Sequence, residues 1–567
     1  MYIDATEHKG QIIVWTRDKS GQLDAFVEAA PYYCYHEEDN GAYRTIFNHR
    51  VNKIEFDSRV TYRDYVENHS NIFESDISPV QKFLSDKFYK IDGPVNKGYF
   101  DIEIDFDLTD NRGYPSPENP FGKINAISLF DEKRNTYHMF MLTDKSIEII
   151  DDVEGLPVVN HCCVTEKQLL DHFFRAIEDI DVLSSWNGEK FDIPYIINRS
   201  EILYGSAEGR AKMCRDGFQC TMRDYTDDYG IDRIKFGLVG RSHLDLMDIY
   251  KKFTRNTKGE MPSYKLDSIV EKELGMNKRV FAGDLGRLYR SDPKAFFEYS
   301  LHDSRLLKML DAKLKFLNLA ITMSRRATIR FDEVLGSIRY LEMSIRNHCH
   351  FDRDEVVILP DRTENKKGEF EGAFVMAPAT GVYGWTQSID IGSLYPNCIC
   401  SLNISPETHV MQCENGHEDF LQIAQATDVP VTIYSLADKE KMVVKAKDVN
   451  QFLRNENFTI SANGSVFNNN FIGIIPEVLN IWKKQRKELK QKGIQARKDG
   501  NIELADYCDV TQDVLKVGLN SLYGTISNPW SRFYTLDCAK SVTITGQEIA
   551  KYQAYMADYV MAEKLAA

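Results

Sequence analysis

A chain of 567 residues with 43% hydrophobic content can build several globular cores, so a multidomain protein is expected. Its formal net charge of −15 argues against a surface that is basic throughout; any contact with nucleic acid must use local basic clusters, and one lies at 483–498. Its 11 cysteines contain no C-x-x-C pair, which excludes an ordinary zinc site, and no run approaches the roughly 18 apolar residues of a membrane span.

Residues 1–97 hold short aromatic-rich runs such as Gln11-Ile12-Ile13-Val14-Trp15 and read as a mixed, strand-rich domain. In Tyr99-Phe100-Asp101-Ile102-Glu103-Ile104-Asp105-Phe106-Asp107 acids alternate with apolar residues. That is the period of a strand, and it puts Asp101, Glu103, Asp105 and Asp107 on one face. Carboxylates so placed repel one another unless a cation binds there or solvent screens them, and the stretch alone leaves both readings open. Ser184–Ile196 follows an apolar stretch and ends in a capped helix start that contains Asp192. Ile231–Phe236 and Leu238-Val239 flank Gly237 and suggest a hairpin. Tyr299 and Asp303 are i, i+4 in a helical stretch that continues through Leu306, Leu307 and Leu310. Arg325 and Arg326 suggest a solvated face, and Asp361–Lys367 a charged linker.

Further on, Tyr383–Ile389 reads as an extended run entering a core and ending at Asp390, with Pro396 opening a helix. A carboxylate at a strand end followed by a tight turn suits a divalent cation: Asp390 and the Ile391 carbonyl offer hard oxygen ligands, and the N–H groups of the turn through Ser393 and Leu394 can face phosphates. An N-cap is the plainer reading of Asp390 taken alone. Ser461–Phe467 carries a turn signal beside a short strand. Pro476 suits a helix N-terminus, and a second helix is expected after Gly500, so 476–527 should be an antiparallel helix pair. Lys516 and Asn520 then share one face of the second helix, while Arg486 and Lys490 share one face of the first.

Asp390-Ile391-Gly392-Ser393-Leu394-Tyr395-Pro396 and Lys516-Val517-Gly518-Leu519-Asn520-Ser521-Leu522-Tyr523-Gly524 resemble motifs A and B of family B DNA polymerases. The wording is closest to the T-even-bacteriophage branch, which also carries an element like Asn403-Ile404-Ser405-Pro406-Glu407. The segments around Asp101, Asp192 and Tyr299 resemble, in order and spacing, the Exo I, Exo II and Exo III motifs of DEDDy 3′→5′ proofreading exonucleases. The resemblance implies an α/β (α+β multidomain) fold: an N-terminal domain over 1–97, a ribonuclease H-like 3′→5′ exonuclease domain over 98–313, and a return segment over 314–365. It continues with a first part of the palm over 366–475, two-helix fingers over 476–527 and an incomplete second part of the palm over 528–567. The fingers are short for the phage branch.

The resemblance also implies site roles. Asp101, Glu103, Asp192 and Asp303 would hold two Mg²⁺ or Mn²⁺ ions, and Tyr299 would orient the attacking water; Asp105 and Asp107 match no catalytic position and read as solvated acids. In the polymerase site, two further ions would take Asp390 and the Ile391 carbonyl as ligands. Arg486, Lys490, Lys516 and Asn520 would bind the incoming triphosphate, with Lys516 also protonating pyrophosphate. Ser393, Leu394 and Tyr395 would contact the nucleotide, with the Tyr395 ring excluding a 2′-hydroxyl, and Tyr523 and Gly524 would pack on the nascent base pair.

Motif C, the family's Asp-Thr-Asp hairpin, has no counterpart. After Gly524 the acids are Asp537, Glu548, Asp558 and Glu563, none two apart. The expectation is therefore the N-terminal part of a replicative polymerase, split or truncated. Its partners would be primer–template DNA, deoxynucleoside triphosphates and a C-terminal chain with motif C and thumb, through which a sliding clamp would be reached. No membrane partner is expected, and the location is cytoplasmic, in an infected bacterium if the source is a phage. The alternatives are a stand-alone 3′→5′ exonuclease on a polymerase scaffold and a non-catalytic primer–template or RNA-binding protein.

Overall fold

The structure, a computed structural model, describes residues 1–106, 113–144, 150–226, 230, 232–276, 285–353, 355–362, 372–377, 380–382, 384 and 389–566. It is an α/β chain in two compact units, Met1–Pro31 with Pro79–Gly336, and Tyr32–Ser78 with Ser337–Ala567.

In the first unit, Tyr2–His8, Gln11–Arg17 and Leu23–Ala29 form an antiparallel three-stranded sheet. The larger, mixed sheet has the order Asp152–Val153, Leu156–Cys163, Thr136–Leu142, Ile124–Asp131, Lys97–Ile104, Val182–Ser184, Ser242–His243. Lys97–Ile104 lies inside it, antiparallel to Ile124–Asp131 and parallel to Val182–Ser184. Its alternation divides the strand: Phe100, Ile102 and Ile104 enter the core with Leu169, Leu170 and Phe173 of the helix Glu166–Ala176, while Asp101 and Glu103 stay half-buried on the opposite face. Each large apolar side chain buried here contributes about 1.5–3 kcal/mol, enough to fix the register that sorts acids from core. Asp105 follows the strand and pairs with Arg290 at 3.0 Å, so it is not merely solvated; Asp107 lies outside the described residues.

Two readings of this unit are corrected. The hairpin pairs Asp232–Gly237 with the upstream Thr221–Thr226, and Ile231 lies outside the described residues. Gly237 is no turn residue. It sits opposite Thr221, whose hydroxyl would lie 2.4 Å from an added Cβ, while Leu238 and Val239 enter the core. Arg325 is not on a solvated face, because the Asp92 carboxylate and the Gly93 carbonyl collect its guanidinium.

In the second unit, one five-stranded sheet runs Val357–Ile358, Tyr43–Thr45, Arg50–Phe56, Tyr32–Glu37, Ile72–Phe73. A second runs Lys441–Lys445, Pro430–Ser435, His409–Cys413, Ser465–Asn468, Phe458–Ile460, with the helices His417–Ala424 and Ala446–Asn455 closing its core. Gly464, at φ +79°, makes the expected turn before its strand. The helix pair is present as Ile474–Lys498 and Ile502–Ser521. Gly500, at φ +74°, turns between them, and Asn501 caps the second through Leu504 N at 3.1 Å. The helices approach closely where Gly518 meets Trp482: a Cβ there would lie 2.7 Å from the indole ring. The long helix Leu536–Ala566 follows. Asp361 is no linker residue, since it accepts Ser75 N at 2.8 Å; residues 363–370 lie outside the described set. Among the described residues no helix is long and apolar enough to cross a membrane.

Glu74, fully buried, ties this unit together. It accepts Arg346 Nε at 2.9 Å, His350 Nε2 at 2.9 Å and Leu359 N at 3.0 Å. Burial alone would raise its carboxyl pKa, but the charges of His350 and Arg346 and the hydrogen bonds outweigh it and hold the carboxyl well below the usual range. A depressed carboxylate adds stability above its unfolded pKa, near 4, and loses it as pH falls further. Glu74→Ala would leave Arg346 uncompensated in the core. We expect it to lower stability near neutral pH by about 3–5 kcal/mol in urea denaturation, with the difference shrinking in acid.

Candidate exonuclease and nucleotide sites

The mixed sheet builds a carboxylate cluster. Oxygens of Asp101, Glu103 and Asp303 all lie within 4.8 Å of one another. Two of the three come from strand alternation. The third is delivered by the helix Pro293–Leu314, which is pinned across the sheet by two buried hydrogen bonds: Ser128 Oγ donates to Ser300 O at 2.8 Å, and Tyr99 Oη donates to Asp311 Oδ2 at 2.8 Å. Tyr299 lies one helical turn before Asp303 and is half-buried.

Asp192, the fourth expected acid, stands beside this cluster and does not belong to the group within 4.8 Å. It is 4% exposed, and its Oδ1 accepts Ile102 N at 3.3 Å, between Asp101 and Glu103 in the chain. Burial, then the charge of Asp245, pushes its carboxyl up to about 7. The capped helix start expected here is different in detail. Asp192 is the first residue of the helix Asp192–Tyr204, and Phe191, with no polar side-chain atom, precedes it without a side-chain cap, while the Asp192 carboxylate accepts from the strand.

Four residues at this site carry no role in the sequence reading. Asp245, 1% exposed, accepts backbone N–H groups of Asn187 at 3.0 Å, Glu189 at 3.0 Å and Met247 at 2.9 Å. His243 Nε2 and Ser185 Oγ share a hydrogen bond of 2.8 Å beside it. Asp245 had a signal, an acid immediately before the amphipathic run from Leu246 to Lys258. Tyr114 had none. Folding alone brings its ring to 4.8 Å from Phe106 and 6.5 Å from Phe191, where desolvation first and then the charges of Glu103, Asp101 and Asp192 raise its hydroxyl pKa.

In the second unit, Leu394–Leu402 forms the helix after Asp390. It begins two residues before Pro396, which is tolerated because first-turn N–H groups have no intrahelical partner. Ser393 precedes it in the left-handed region at φ 56°. Tyr383 and 385–388 lie outside the described residues, and the entry into a core is not found at the described end: Ile389 and Asp390 are exposed, and no described strand pairs with them. The Gly372 carbonyl accepts Gln547 Nε2 at 2.6 Å.

The Tyr395 and Tyr523 rings meet at 4.9 Å, and Gly546 leaves room for Tyr395, since a Cβ there would lie 3.0 Å from its ring. Gly524 faces open space. Lys490, Lys516 and Asn520 are exposed, and Arg486 donates from Nε to Gln512 Oε1 at 3.2 Å. Gln512, Lys516 and Asn520 follow at i, i+4, i+8, so Gln512 belongs to the same stripe and was readable from spacing. Lys483 Nζ donates to Asn397 Oδ1 at 2.9 Å, tying the helix pair to the helix after Asp390. Among the described residues Asp390, Lys490, Lys516 and Asn520 make no hydrogen bond or ion pair with one another.

Comparison with known proteins agrees with this geometry. The family model for the exonuclease domain of DNA polymerase family B matches residues 94–269, and that for DNA polymerase family B matches residues 349–566. The chain belongs to the family B DNA polymerases. It is 27% identical to the DNA-directed DNA polymerase of Escherichia phage RB69, over 79% of this chain and 53% of that protein. Identity to the DNA-directed DNA polymerase of Enterobacteria phage T4 is 24%, over 92% and 62%, and to a DNA polymerase of Pyrococcus glycovorans 25%, over 86% and 55%. The chain thus spans between 53% and 62% of the length of these family B relatives.

The cluster of hard oxygen donors suits a divalent cation. Mn²⁺ titration of this polymerase-family chain should reveal binding that Asp101→Ala weakens severely. A carboxyl pushed up to about 7 takes up a proton below that pH, so affinity should fall as pH drops from 8 to 6, a range in which ordinary carboxylates stay ionised.

Proposed function

We propose that this chain hydrolyses DNA from the 3′ end as the proofreading part of a replicative polymerase, and that it carries the nucleotide-binding half of the synthetic site. The observation that carries the first part is the convergence of Asp101, Glu103 and Asp303 within 4.8 Å, with Asp192 against the same strand. Two divalent cations, Mg²⁺ or Mn²⁺, supply Lewis acidity to a scissile phosphate and a water when bound. Asp101, Glu103, Asp192 and Asp303 hold them, and Tyr299 orients the water for in-line attack. Tyr114, Phe106 and Phe191 offer aromatic faces for the bases of a frayed 3′ strand.

For synthesis, Asp390 and the Ile391 carbonyl are the metal ligands of this chain. Arg486, Lys490, Lys516 and Asn520 bind the triphosphate, and Lys516 protonates the leaving pyrophosphate. Backbone at Ser393 and Leu394 faces phosphate, Tyr395 excludes the 2′-hydroxyl, and Tyr523 with Gly524 backs the base pair. The tyrosine contact and the open face of Gly524 support this arrangement. Beside Asp390 the polymerase reading calls for a second metal carboxylate, and we propose that a segment bearing motif C supplies it, with a thumb and a route to a sliding clamp. In support, Ile549, Tyr552, Tyr555 and Tyr559 form an exposed apolar row on the helix Leu536–Ala566.

Two experiments test these assignments. Single-stranded DNA labelled at its 5′ end should be shortened from the 3′ end in Mg²⁺ or Mn²⁺, and Asp303→Ala should slow this by orders of magnitude; near-wild-type digestion by that variant would sink the nuclease assignment. Primer extension should be absent for this chain alone and appear with a family B C-terminal fragment bearing motif C. In that mixture Tyr395→Ala should admit ribonucleotides, and Lys516→Ala should slow synthesis while leaving digestion intact. Robust extension by the chain alone, or unchanged sugar discrimination, would overturn the corresponding role.

A further inference from the structure

The buried segment Ser242–Met247 is closed against Leu183–Glu189 by a run of hydrogen bonds. Leu244 N donates to Leu183 O at 2.9 Å, Ser184 Oγ to Leu244 O at 2.7 Å and Leu246 N to Ser185 O at 3.0 Å. The run ends at Asp245. Its Oδ1 accepts Asn187 N and Met247 N, and its Oδ2 accepts Glu189 N. Capping the helix Leu246–Lys258 accounts for the Met247 bond alone. The other two reach a loop more than 50 residues away in sequence and grip it on either side of Gly188.

That loop has little freedom of its own. Asn187 takes a left-handed φ of 63°, and at Gly188 an added Cβ would lie 1.8 Å from Ser185 Oγ and 3.1 Å from Asp192 Oδ2. Gly188 O then accepts Ile193 N at 2.9 Å, which joins the loop to the first turn of the helix that Asp192 opens. On the loop's exposed side, Lys235 pairs with Glu189 at 2.7 Å. The chain from Asp245 to Asp192 is therefore continuous: carboxylate, gripped loop, Gly188 carbonyl, helix start.

We propose that Asp245 is a positioning residue of the hydrolytic centre, holding the Asn187–Glu189 loop so that Asp192 stays against the strand of Asp101 and Glu103. The proposal rests on the nuclease reading above. Asp245 touches neither DNA nor metal. It acts through Asp192, and so its loss shows in metal use and turnover more than in DNA binding.

The test measures kcat and KM for 3′ digestion, together with Mn²⁺ affinity, in the full chain and in two variants. Asp245→Ala removes both acceptor oxygens and so all three hydrogen bonds. It should lower kcat roughly 10–100-fold, raise the Mn²⁺ concentration for half-maximal rate by a similar factor, and leave KM for DNA nearly unchanged; such losses are typical when a partner of a metal ligand is removed. Excess Mn²⁺ should recover part of the rate. Asp245→Asn can keep an oxygen for Asn187 and Met247 but turns an amide toward Glu189 N–H, so it should fall between wild type and alanine. Should the alanine variant fail to fold, the asparagine variant carries the test, and wild-type Mn²⁺ dependence in it would overturn the proposal. Wild-type kcat and Mn²⁺ dependence in a folded Asp245→Ala, or a rate loss with no change in Mn²⁺ dependence, would overturn it as well. Should the wild-type chain bind Mn²⁺ and digest nothing, the nuclease reading fails, while Mn²⁺ affinity of the variants still decides the role of Asp245.

Discussion

Carboxylates crowded within a few ångströms repel one another, and in the first unit everything near Asp101, Glu103 and Asp303 serves to hold them together regardless. The strand cannot slip, because a shift of one residue would send Asp101 and Glu103 into the core and Ile102 out of it. The helix that carries Asp303 cannot slide, because Ser128–Ser300 and Tyr99–Asp311 pin it where water does not compete. A cation entering such a site meets acids already in place and need not pay to assemble them. The repulsion, borne by the fold, becomes affinity.

The second unit meets the opposite charge problem. Lys490, Lys516 and Asn520 stand exposed on the helix pair, so the two lysine charges face solvent. What is fixed there is the scaffold: Gly518 admits Trp482, Gly500 turns the chain, and Lys483 ties the pair to the helix after Asp390 through Asn397.

What could be read in the sequence follows from what is periodic. Alternation in Tyr99–Ile104 put Asp101 and Glu103 on one face, and i, i+4 spacing put Tyr299 with Asp303 and Lys516 with Asn520. Pro476 and Gly500 marked the helix pair because their backbone limits are local. The failures share another cause. Thr221–Thr226 is a polar strand with no apolar alternation to advertise it, so the hairpin was drawn around the wrong glycine. Arg325 looked solvated because its partner Asp92 is far along the chain. Asp245 and Tyr114 gain their meaning only from segments brought to them by the fold.

The same distinction explains why the two sites differ in completeness. Asp101, Glu103, Asp192 and Asp303 come from three segments, Lys97–Ile104, Asp192–Tyr204 and Pro293–Leu314, and all three belong to one compact unit with its own core. Such a centre needs nothing from elsewhere to hold its geometry. Asp390 has no such support. It lies exposed ahead of a helix that Ser393 enters through a left-handed turn, and no described strand pairs with it. A lone exposed carboxylate binds a divalent ion weakly, since its attraction is screened by water and it lacks the further oxygens a hard cation demands. A divalent ion at Asp390 would therefore need further hard oxygen ligands. The acid cluster is thus a property of one unit's fold, whereas Asp390 has no comparable setting among the described residues.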